Sequence, residues 1–198
     1  MPQSTNAPQW PEIGRLFSLG GMSECGKSHA GRYFDAHGVR RIKIGRVLAE
    51  VGSDLGLDPA APNFTSRLYD EHAEVALPAF LGRVADEMRR EGVVRASLES
   101  MSRGQLATWL KGQLGDRMVN IFIEAPLALR IEREWRKRPG SEREAIGTEV
   151  RAKDELKVQR GVPDLRAIAD LVIDNSGTAA EYDRELIRVL RDYPAIPR

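Results

Sequence analysis

Short apolar runs alternate along the chain with longer segments whose apolar residues recur at helical spacing. Residues 118–123, Met-Val-Asn-Ile-Phe-Ile, have the clearest pattern of a buried strand. Residues 39–44 alternate apolar and basic side chains, as a strand with one covered face does. The runs that predict strands are 16–19, 39–44, 93–98, 118–123 and 169–173.

The segments between these runs have the spacing of helices. They cover residues 27–37, 45–55, 65–90, 104–114, 127–137, 142–159 and 178–191. Residues 65–90 predict one long helix with a bend near Pro78, because proline removes a helical hydrogen bond. Five strands alternating with helices predict an α/β fold, a three-layer sandwich around a five-stranded parallel sheet.

Length and composition favour one domain. A chain of 198 residues is long enough for a single core, and we expect a domain at 13–198 after a flexible tail at 1–12. The net charge of +1 gives no overall preference for nucleic acid. No apolar stretch reaches the length of a membrane span, and Cys25 is the one cysteine, so we expect a cytoplasmic protein.

The residues after the first strand carry the most specific motif. Gly21, Gly26, Lys27 and Ser28 match the phosphate-loop pattern of two glycines, lysine and serine between a strand and a helix. Glycines let the backbone approach an anion, and the following helix N-terminus adds positive charge. The motif predicts an ATP site in which Lys27 contacts the β and γ phosphates and the Ser28 hydroxyl ligates Mg²⁺.

The nucleotide-binding residues predicted at this motif form one continuous segment. They are Gly21, Met22, Ser23, Glu24, Cys25, Gly26, Lys27, Ser28 and His29. The alternative interpretation is an ordinary glycine-rich turn, in which Lys27 and Ser28 are coincidental.

Further segments add a family resemblance. Residues 42–48, Ile-Lys-Ile-Gly-Arg-Val-Leu, stand where adenylate kinases have Ile-Ser-Thr-Gly-Asp-Met-Leu, with Arg46 replacing the aspartate. From about residue 16 to 190 the chain resembles the nucleoside monophosphate kinases, including adenylate kinase, and also dephospho-coenzyme A kinase. The resemblance implies a helical substrate-binding insert at about 45–90 and an arginine-rich lid at about 130–160. It places Lys43 and Arg46 at the acceptor site.

Residues 99–103, Glu-Ser-Met-Ser-Arg, follow the third strand, where adenylate kinases have Asp-Gly-Phe-Pro-Arg. The resemblance implies that Glu99 holds Mg²⁺ through water or orients the acceptor, and that Arg103 contacts the acceptor's phosphate. Ligands of parallel sheets bind at this end of the strands. The alternative for Glu99 is a solvated side chain at a strand end.

The basic segment 130–143 begins the part that resembles the lid. Lid arginines of these families neutralise the transferring phosphoryl group, which needs positioning and positive charge more than covalent chemistry. The resemblance implies catalytic roles for Arg133, Arg138 and Arg151, and an acceptor-binding role for Arg160. The alternative is that these arginines form surface ion pairs.

Residues 169–177 resemble the Ala-Asp-x-Val-Ile-x-Asn stretch of dephospho-coenzyme A kinases. In that fold the loop after this strand lies against the nucleotide base, so the resemblance implies that Asn175 and Gly177 contact adenine. A structural role in turning the strand into the last helix is the alternative.

The sequence as a whole predicts an ATP-dependent phosphotransferase that acts, with Mg²⁺, on a nucleoside monophosphate or nucleotide-like small molecule. One alternative is a hydroxyl kinase that resembles dephospho-coenzyme A kinase or acts on a specialised metabolite. Another is a nucleotide-binding switch without catalysis. We expect ATP and a small-molecule acceptor as partners, with neither membrane nor nucleic acid, and the sequence leaves monomer and homodimer open.

Overall fold

The computed structural model describes residues 10–197 and contains the predicted α/β fold. Five parallel strands form one sheet in the order β2-β3-β1-β4-β5. The strands are β1 (Arg15–Gly20), β2 (Arg40–Lys43), β3 (Arg95–Met101), β4 (Met118–Glu124) and β5 (Leu171–Asp174). The predicted five-stranded parallel sheet is confirmed.

Helices cover both faces of the sheet. They are α1 (Lys27–Ala36), α2 (Ile44–Asp54), α3 (Phe64–Ser66), α4 (Ala73–Arg90), α5 (Gly104–Leu114), α6 (Leu127–Arg136), α7 (Arg143–Gln159) and α8 (Ala179–Asp192). Phe17 of β1 packs in one core cluster with Phe34 of α1 and Leu186 of α8. Leu16 points to the other cluster, which contains side chains of α2, α4 and α5. This alternation along β1 produces the three layers.

The strand order indicates where in the sheet a ligand-binding site is expected. β1 lies in the middle of the sheet, with β3 on one side and β4 on the other. The chain therefore changes direction across the sheet at the carboxyl end of β1, and such switch points are where α/β sheets bind ligands. The phosphate-loop motif follows β1 directly at this position.

The prediction of one helix over 65–90 is wrong in one respect. A turn of π-helix covers Arg67–Glu71 and ends at His72, and a new helix begins at Ala73. Pro78 lies inside α4, so the break precedes the proline by one and a half turns. Leu68 and Tyr69 on the π-helical turn are buried and belong to the larger core cluster. Packing of these two side chains decides where the helix breaks.

The N-terminal part of the predicted tail, residues 1–9, lies outside the described residues. Trp10 packs against the larger core cluster, and its carbonyl accepts a hydrogen bond from Arg117 at 2.7 Å. Across residues 10–197, no helix has both the length and the apolar character that a membrane crossing requires.

Candidate active site at the phosphate loop

The backbone of the loop after β1 requires glycine at two positions. Gly21 has φ 134° and Gly26 has φ 115°, a region that side chains rarely tolerate. A Cβ on Gly21 would lie 2.2 Å from the carbonyl oxygen of Ile123, and a Cβ on Gly26 would lie 2.3 Å from Nδ2 of Asn175. Both glycines of the motif are therefore required by close packing as well as by backbone conformation.

Glu24 lies between these glycines and also has a positive φ, 57°. Non-glycine residues in this conformation carry strain and concentrate at functional sites. Its carboxylate forms an ion pair with Lys137 at the end of α6. The left-handed residues curve the loop into a concave turn of the kind whose backbone N–H groups receive anions.

Lys27 begins α1 and is buried with its ammonium group turned back into the loop. Its Nζ donates to the carbonyl oxygens of Gly21 at 2.9 Å and Met22 at 2.6 Å, and lies 3.5 Å from Sγ of Cys25. The ammonium group is thus held at the open side of the loop, and Lys27 also lines a large cavity there.

Ser28 and Glu99 connect the start of α1 to the end of β3. Ser28 Oγ donates to Glu99 Oε1 at 2.5 Å, and Arg41 donates to the other carboxylate oxygen. Burial acts to raise the pKa of Glu99, but the hydrogen bonds from Arg41 and Ser28 and the nearby charge of Lys43 hold it below its ordinary value. Glu99 is therefore an ionised carboxylate beside the loop hydroxyl.

Helix α7 is attached to the loop through a buried ion pair. Asp154 accepts hydrogen bonds from the Ser23 backbone N–H at 3.0 Å and from Arg130 Nη1 at 2.5 Å. Arg130 in turn donates to the Ser23 carbonyl oxygen at 2.9 Å. Because α6 and α7 each satisfy one polar group of the same loop residue, both helices are fixed relative to the loop.

Lys157 reaches the loop from the next turn of α7. Its Nζ lies 3.5 Å from the Gly21 carbonyl oxygen, the same oxygen that accepts from Lys27. Burial and the charge of Lys27 lower the pKa of Lys157 to about 8. Sequence reasoning missed Lys157, because a charge three residues after Asp154 on a helix is equally typical of a solvated face.

Asn175 ties the loop after β5 to both the phosphate loop and α6. Its Nδ2 donates to the Cys25 carbonyl oxygen at 2.8 Å. Arg133 Nη2 donates to the backbone oxygen of Asn175 at 2.8 Å and to its side-chain oxygen at 3.2 Å. Arg133 Nη1 is buried without a hydrogen-bond partner among the described residues, and Arg133 lines the large cavity. This guanidinium nitrogen is one of the few buried polar atoms of the described residues that lack a partner.

These side chains surround a cavity of about 1070 Å³ between the loop, α1, α6, α7 and α8. Its lysine and arginine residues are Lys27, Arg32, Arg133, Arg136, Lys137, Lys153, Lys157 and Arg160. Glu24 and Glu132 are the carboxylates in the described lining. The excess of positive charge suits a ligand with several negative charges.

The cavity includes many of the predicted nucleotide-binding residues. Its lining contains Ser23, Glu24, Gly26, Lys27, Ser28, His29, Asn175 and Gly177. His29 is held by Asp183 at 2.6 Å. Arg160 lines this cavity too, whereas the sequence assigned it to the acceptor.

Two predicted lid arginines lie outside the described lining of the cavity. Arg138 forms ion pairs with Glu134 at 2.7 Å and with Glu149 at 2.6 Å. Arg151 is exposed on α7. Arg138 therefore forms surface ion pairs, the alternative considered for the lid arginines. The catalytic roles of Arg138 and Arg151 stay predictions.

The predicted acceptor residues are spread over two places. Arg46 pairs with Glu50 and Glu87 and lines a separate cavity of about 380 Å³. Arg103 precedes α5 and lies over the ring of Tyr69, with its Cζ 5.7 Å from the ring centroid. Its Nε is buried without a partner in the described part of the chain. Lys43 is exposed and lies beside Glu99 in the strand register.

Two oxygen-bearing side chains beside the loop have the chemistry that Mg²⁺ prefers. Within residues 10–197, no group of three or more histidine, cysteine, aspartate or glutamate side chains could hold a metal alone. Mg²⁺ commonly uses one or two protein oxygens together with water and substrate phosphates. The Ser28 hydroxyl and the ionised Glu99 carboxylate offer that kind of partial ligand set.

Sequence comparison relates the chain to proteins described as UPF0200. A relative from Methanosarcina barkeri is 22% identical over 179 residues, which cover 90% of this chain and 96% of the relative. A relative from Halobacterium salinarum is 26% identical over 194 residues, covering 92% and 97%. No family model matches the chain.

Structural comparison gives the fold over nearly the whole chain. A Thermus thermophilus protein, TT1252, matches with a TM-score of 0.60 and 19% identity, covering 92% of this chain and 100% of that one. A gluconokinase from Sinorhizobium meliloti matches with a TM-score of 0.53 and 15% identity, covering 92% and 93%. The Deinococcus radiodurans tunicamycin resistance protein matches at 0.52 and 16%, covering 93% and 99%.

These matches confirm the resemblance at the level of fold. The chain shares its α/β fold with these proteins, one of which is a gluconokinase.

Proposed function

We propose that the chain is an ATP-dependent phosphotransferase that transfers the γ-phosphate to a nucleoside monophosphate or a similar phosphorylated small molecule. The observation that carries this proposal is the phosphate loop itself, with Lys27 at its mouth and a strongly basic cavity in front of it. The kinase-like fold supports the same reaction class.

The nucleotide occupies the loop and the adjoining cavity. The backbone N–H groups of residues 24–28 and the N-terminus of α1 receive its phosphates. Lys27 exchanges the carbonyl oxygens of Gly21 and Met22 for phosphate oxygens, which keeps its ammonium group hydrogen-bonded throughout. Asn175 and Gly177 border the end of the cavity that takes the base.

Mg²⁺ supplies charge neutralisation for the phosphate chain when it is bound. Ser28 would hold it directly, and Glu99 would hold it through water, as the hydrogen bond between these two residues brings both oxygens to one place. Arg41 keeps the Glu99 carboxylate oriented and ionised for this role.

Glu99 is poorly suited to be a general base. Both carboxylate oxygens accept hydrogen bonds, and its pKa is held below the ordinary value. A general base works best with a pKa near the operating pH. An acceptor phosphate is already a nucleophile and needs no such base, so the geometry favours a phosphorylated acceptor.

Positive side chains from α6 and α7 stabilise the transferring group. Arg133 lines the cavity, and its Nη2 is fixed by Asn175, so the guanidinium group is oriented before any ligand binds. Arginine suits the equatorial oxygens of a phosphoryl group because its donors form a planar fork.

A hydroxyl kinase is the second candidate. The observation in its favour is the structural match to a gluconokinase at a TM-score of 0.53. In that case a hydroxyl group of the acceptor would be phosphorylated, and the product would be a phosphate monoester rather than a phosphoanhydride.

Phosphorus NMR of the product separates the two candidates. The protein, ATP and Mg²⁺ are incubated with each of a set of ribonucleoside and deoxyribonucleoside monophosphates, and then with dephospho-coenzyme A and sugars. Both reactions leave ADP, so the product of the acceptor itself separates them. We expect the diphosphate of a monophosphate acceptor other than AMP, absent in Lys27→Ala. A new monoester formed from a hydroxyl acceptor, again together with ADP, would replace the first candidate with the second. ATP binding without any product would support a nucleotide-binding switch.

A further inference from the structure

A second lysine, Lys157 of helix α7, contacts the phosphate loop. Asp154 attaches α7 to the Ser23 backbone, and Lys157 follows on the same face of the helix, one turn later. Its Nζ lies 3.5 Å from the Gly21 carbonyl oxygen, which also accepts from Lys27 at 2.9 Å. Two ammonium groups therefore converge on one carbonyl oxygen.

This convergence lacks a counter-charge within the described residues. Lys157 forms no ion pair there, and Asp154, the carboxylate that influences it electrostatically, is engaged by Arg130 and Ser23. Burial and the charge of Lys27 together lower the pKa of Lys157 to about 8, against the opposing influence of Cys25 and Asp154. The free protein thus holds two lysines together at a cost in electrostatic free energy.

A chain of phosphates is the ligand that removes this cost. It brings several negative charges in line, whereas a carboxylate would neutralise one lysine at most. The concave loop with positive φ at Glu24 and Gly26 receives phosphate oxygens from the other side. The basic cavity continues from this point along α6 and α7.

We propose that Lys157 is a phosphate ligand of the nucleotide site and that it binds one polyphosphate chain jointly with Lys27. The identification of that chain with ATP rests on the proposed function. Asp154 and Arg130 act as positioning residues, because they fix the helix that carries Lys157.

Polyphosphate binding by Lys157 has a characteristic pH dependence. An anion favours the charged ammonium, so affinity falls as pH rises through about 8 and the free side chain loses its proton. The groups that face Lys157 are Lys27 and Cys25 from the loop and Asp154 from its own helix. Arginine at this position stays charged, so its variant lacks this fall.

Calorimetric titration with inorganic tripolyphosphate and with ATP tests the proposal. The variants are Lys157→Met, Lys157→Arg and the control Arg188→Met, which removes an exposed cation of α8 outside the described lining of the cavity. We expect Lys157→Met to weaken both ligands about tenfold or more, because a charge-assisted hydrogen bond is lost. Arg188→Met should weaken them less than threefold, and Lys157→Arg should retain affinity above pH 8.

Three results would overturn the proposal. The first is unchanged affinity in Lys157→Met, the second is an equal loss in Arg188→Met, and the third is no tripolyphosphate binding by the parent protein. Tripolyphosphate binding that depends on Lys157, in a parent protein that binds no ATP, would contradict the proposed function and leave Lys157 as a phosphate ligand.

Discussion

The Ser28 hydroxyl donates a 2.5 Å hydrogen bond to the carboxylate of Glu99, at the adjoining ends of α1 and β3. The second carboxylate oxygen accepts from Arg41, which is on the neighbouring strand β2. This relationship joins the last residue of the phosphate motif to the carboxylate that the resemblance assigns to Mg²⁺. The two hydrogen bonds also determine how a substitution of Glu99 should alter the stability of the protein and its acid sensitivity.

Glu99→Gln should lower both the stability of the protein at neutral pH and its sensitivity to acid. The pKa of Glu99 is held below its ordinary value of 4.5, so its stabilising effect is present above that pH and is lost as pH falls through the lower, folded-state pKa. We expect the variant to lose about 1–3 kcal/mol of stability at neutral pH. Its stability should then fall less steeply than that of the parent below about pH 4.5. Urea unfolding at several pH values measures the loss of stability and its dependence on pH.

The control for this experiment is Ser28→Ala, which removes the hydroxyl but leaves the ion pair of Glu99 with Arg41. It should reduce Mg²⁺-dependent turnover while retaining most of the acid sensitivity. Equal acid profiles for Glu99→Gln and the parent would contradict the assignment of the carboxylate as ionised and hydrogen-bonded.

Alanine at Gly26 should prevent the loop from forming, whereas alanine at Gly45 should be tolerated. Gly26 has φ 115°, and its Cβ would lie 2.3 Å from Nδ2 of Asn175. Gly45 lies in helix α2 with nothing within 4 Å of the Cβ position. We expect Gly45→Ala to stabilise the protein by about 0.5–1 kcal/mol, because alanine is the better helix former. Thermal unfolding of both variants distinguishes backbone requirement from general sensitivity, and a Gly26→Ala variant as stable as the parent would refute the loop geometry.

Lys157→Met should stabilise the protein in the absence of ligand. A lysine whose folded-state pKa is about 8, against an ordinary 10.5, opposes folding when charged, and this penalty disappears as pH rises from 8 to 10.5. The melting temperature of the variant should therefore exceed that of the parent below pH 8, and the difference should shrink toward pH 10.5. A lower melting temperature throughout would mean that Lys157 stabilises the fold by packing.

Asn175→Ala should destabilise the loop by about 1–3 kcal/mol. The amide donates to the Cys25 carbonyl oxygen at 2.8 Å, and its removal leaves that buried carbonyl without this donor. Ser176→Ala is the neighbouring control, because its exposed hydroxyl bonds locally to Asp174. We expect the control to change stability by less than about 0.5 kcal/mol in chemical denaturation. Equal effects of the two changes would show that the hydrogen bond from Asn175 to the Cys25 carbonyl does not stabilise the loop.

Arg46→Ala should affect stability more than acceptor binding. Its guanidinium pairs with Glu87, which is buried, and with Glu50 at 2.8 Å, and these hydrogen bonds raise its pKa. Because the side chain is nearly half exposed, we expect a loss of about 1 kcal/mol or less. The sequence assigned Arg46 to the acceptor, so a large rise in acceptor KM with unchanged stability would support that assignment instead.

The fold and the loop could be predicted from local patterns. Apolar runs separated by helical segments fix the parallel α/β sheet, and the two glycines with Lys27 mark the turn between β1 and α1. Both signals lie in contiguous residues, so neither requires knowledge of the tertiary structure.

The features that could not be predicted from the sequence depend on contacts between distant segments. The helix break falls at His72 rather than Pro78 because Leu68 and Tyr69 pack in the core. The approach of Lys157 to Gly21 depends on the tertiary anchor at Asp154. A pattern of charges on a helix cannot distinguish such a contact from a solvated face.

Transfer of radiolabel from γ-labelled ATP in the parent protein and Lys27→Ala is the most direct test. The reaction contains Mg²⁺ and a mixture of nucleoside monophosphates, and the labelled products are separated by charge. The account predicts label on a nucleoside diphosphate in the parent and none in Lys27→Ala. Label that appears as inorganic phosphate alone, or at equal levels on nucleotides in both proteins, would contradict it.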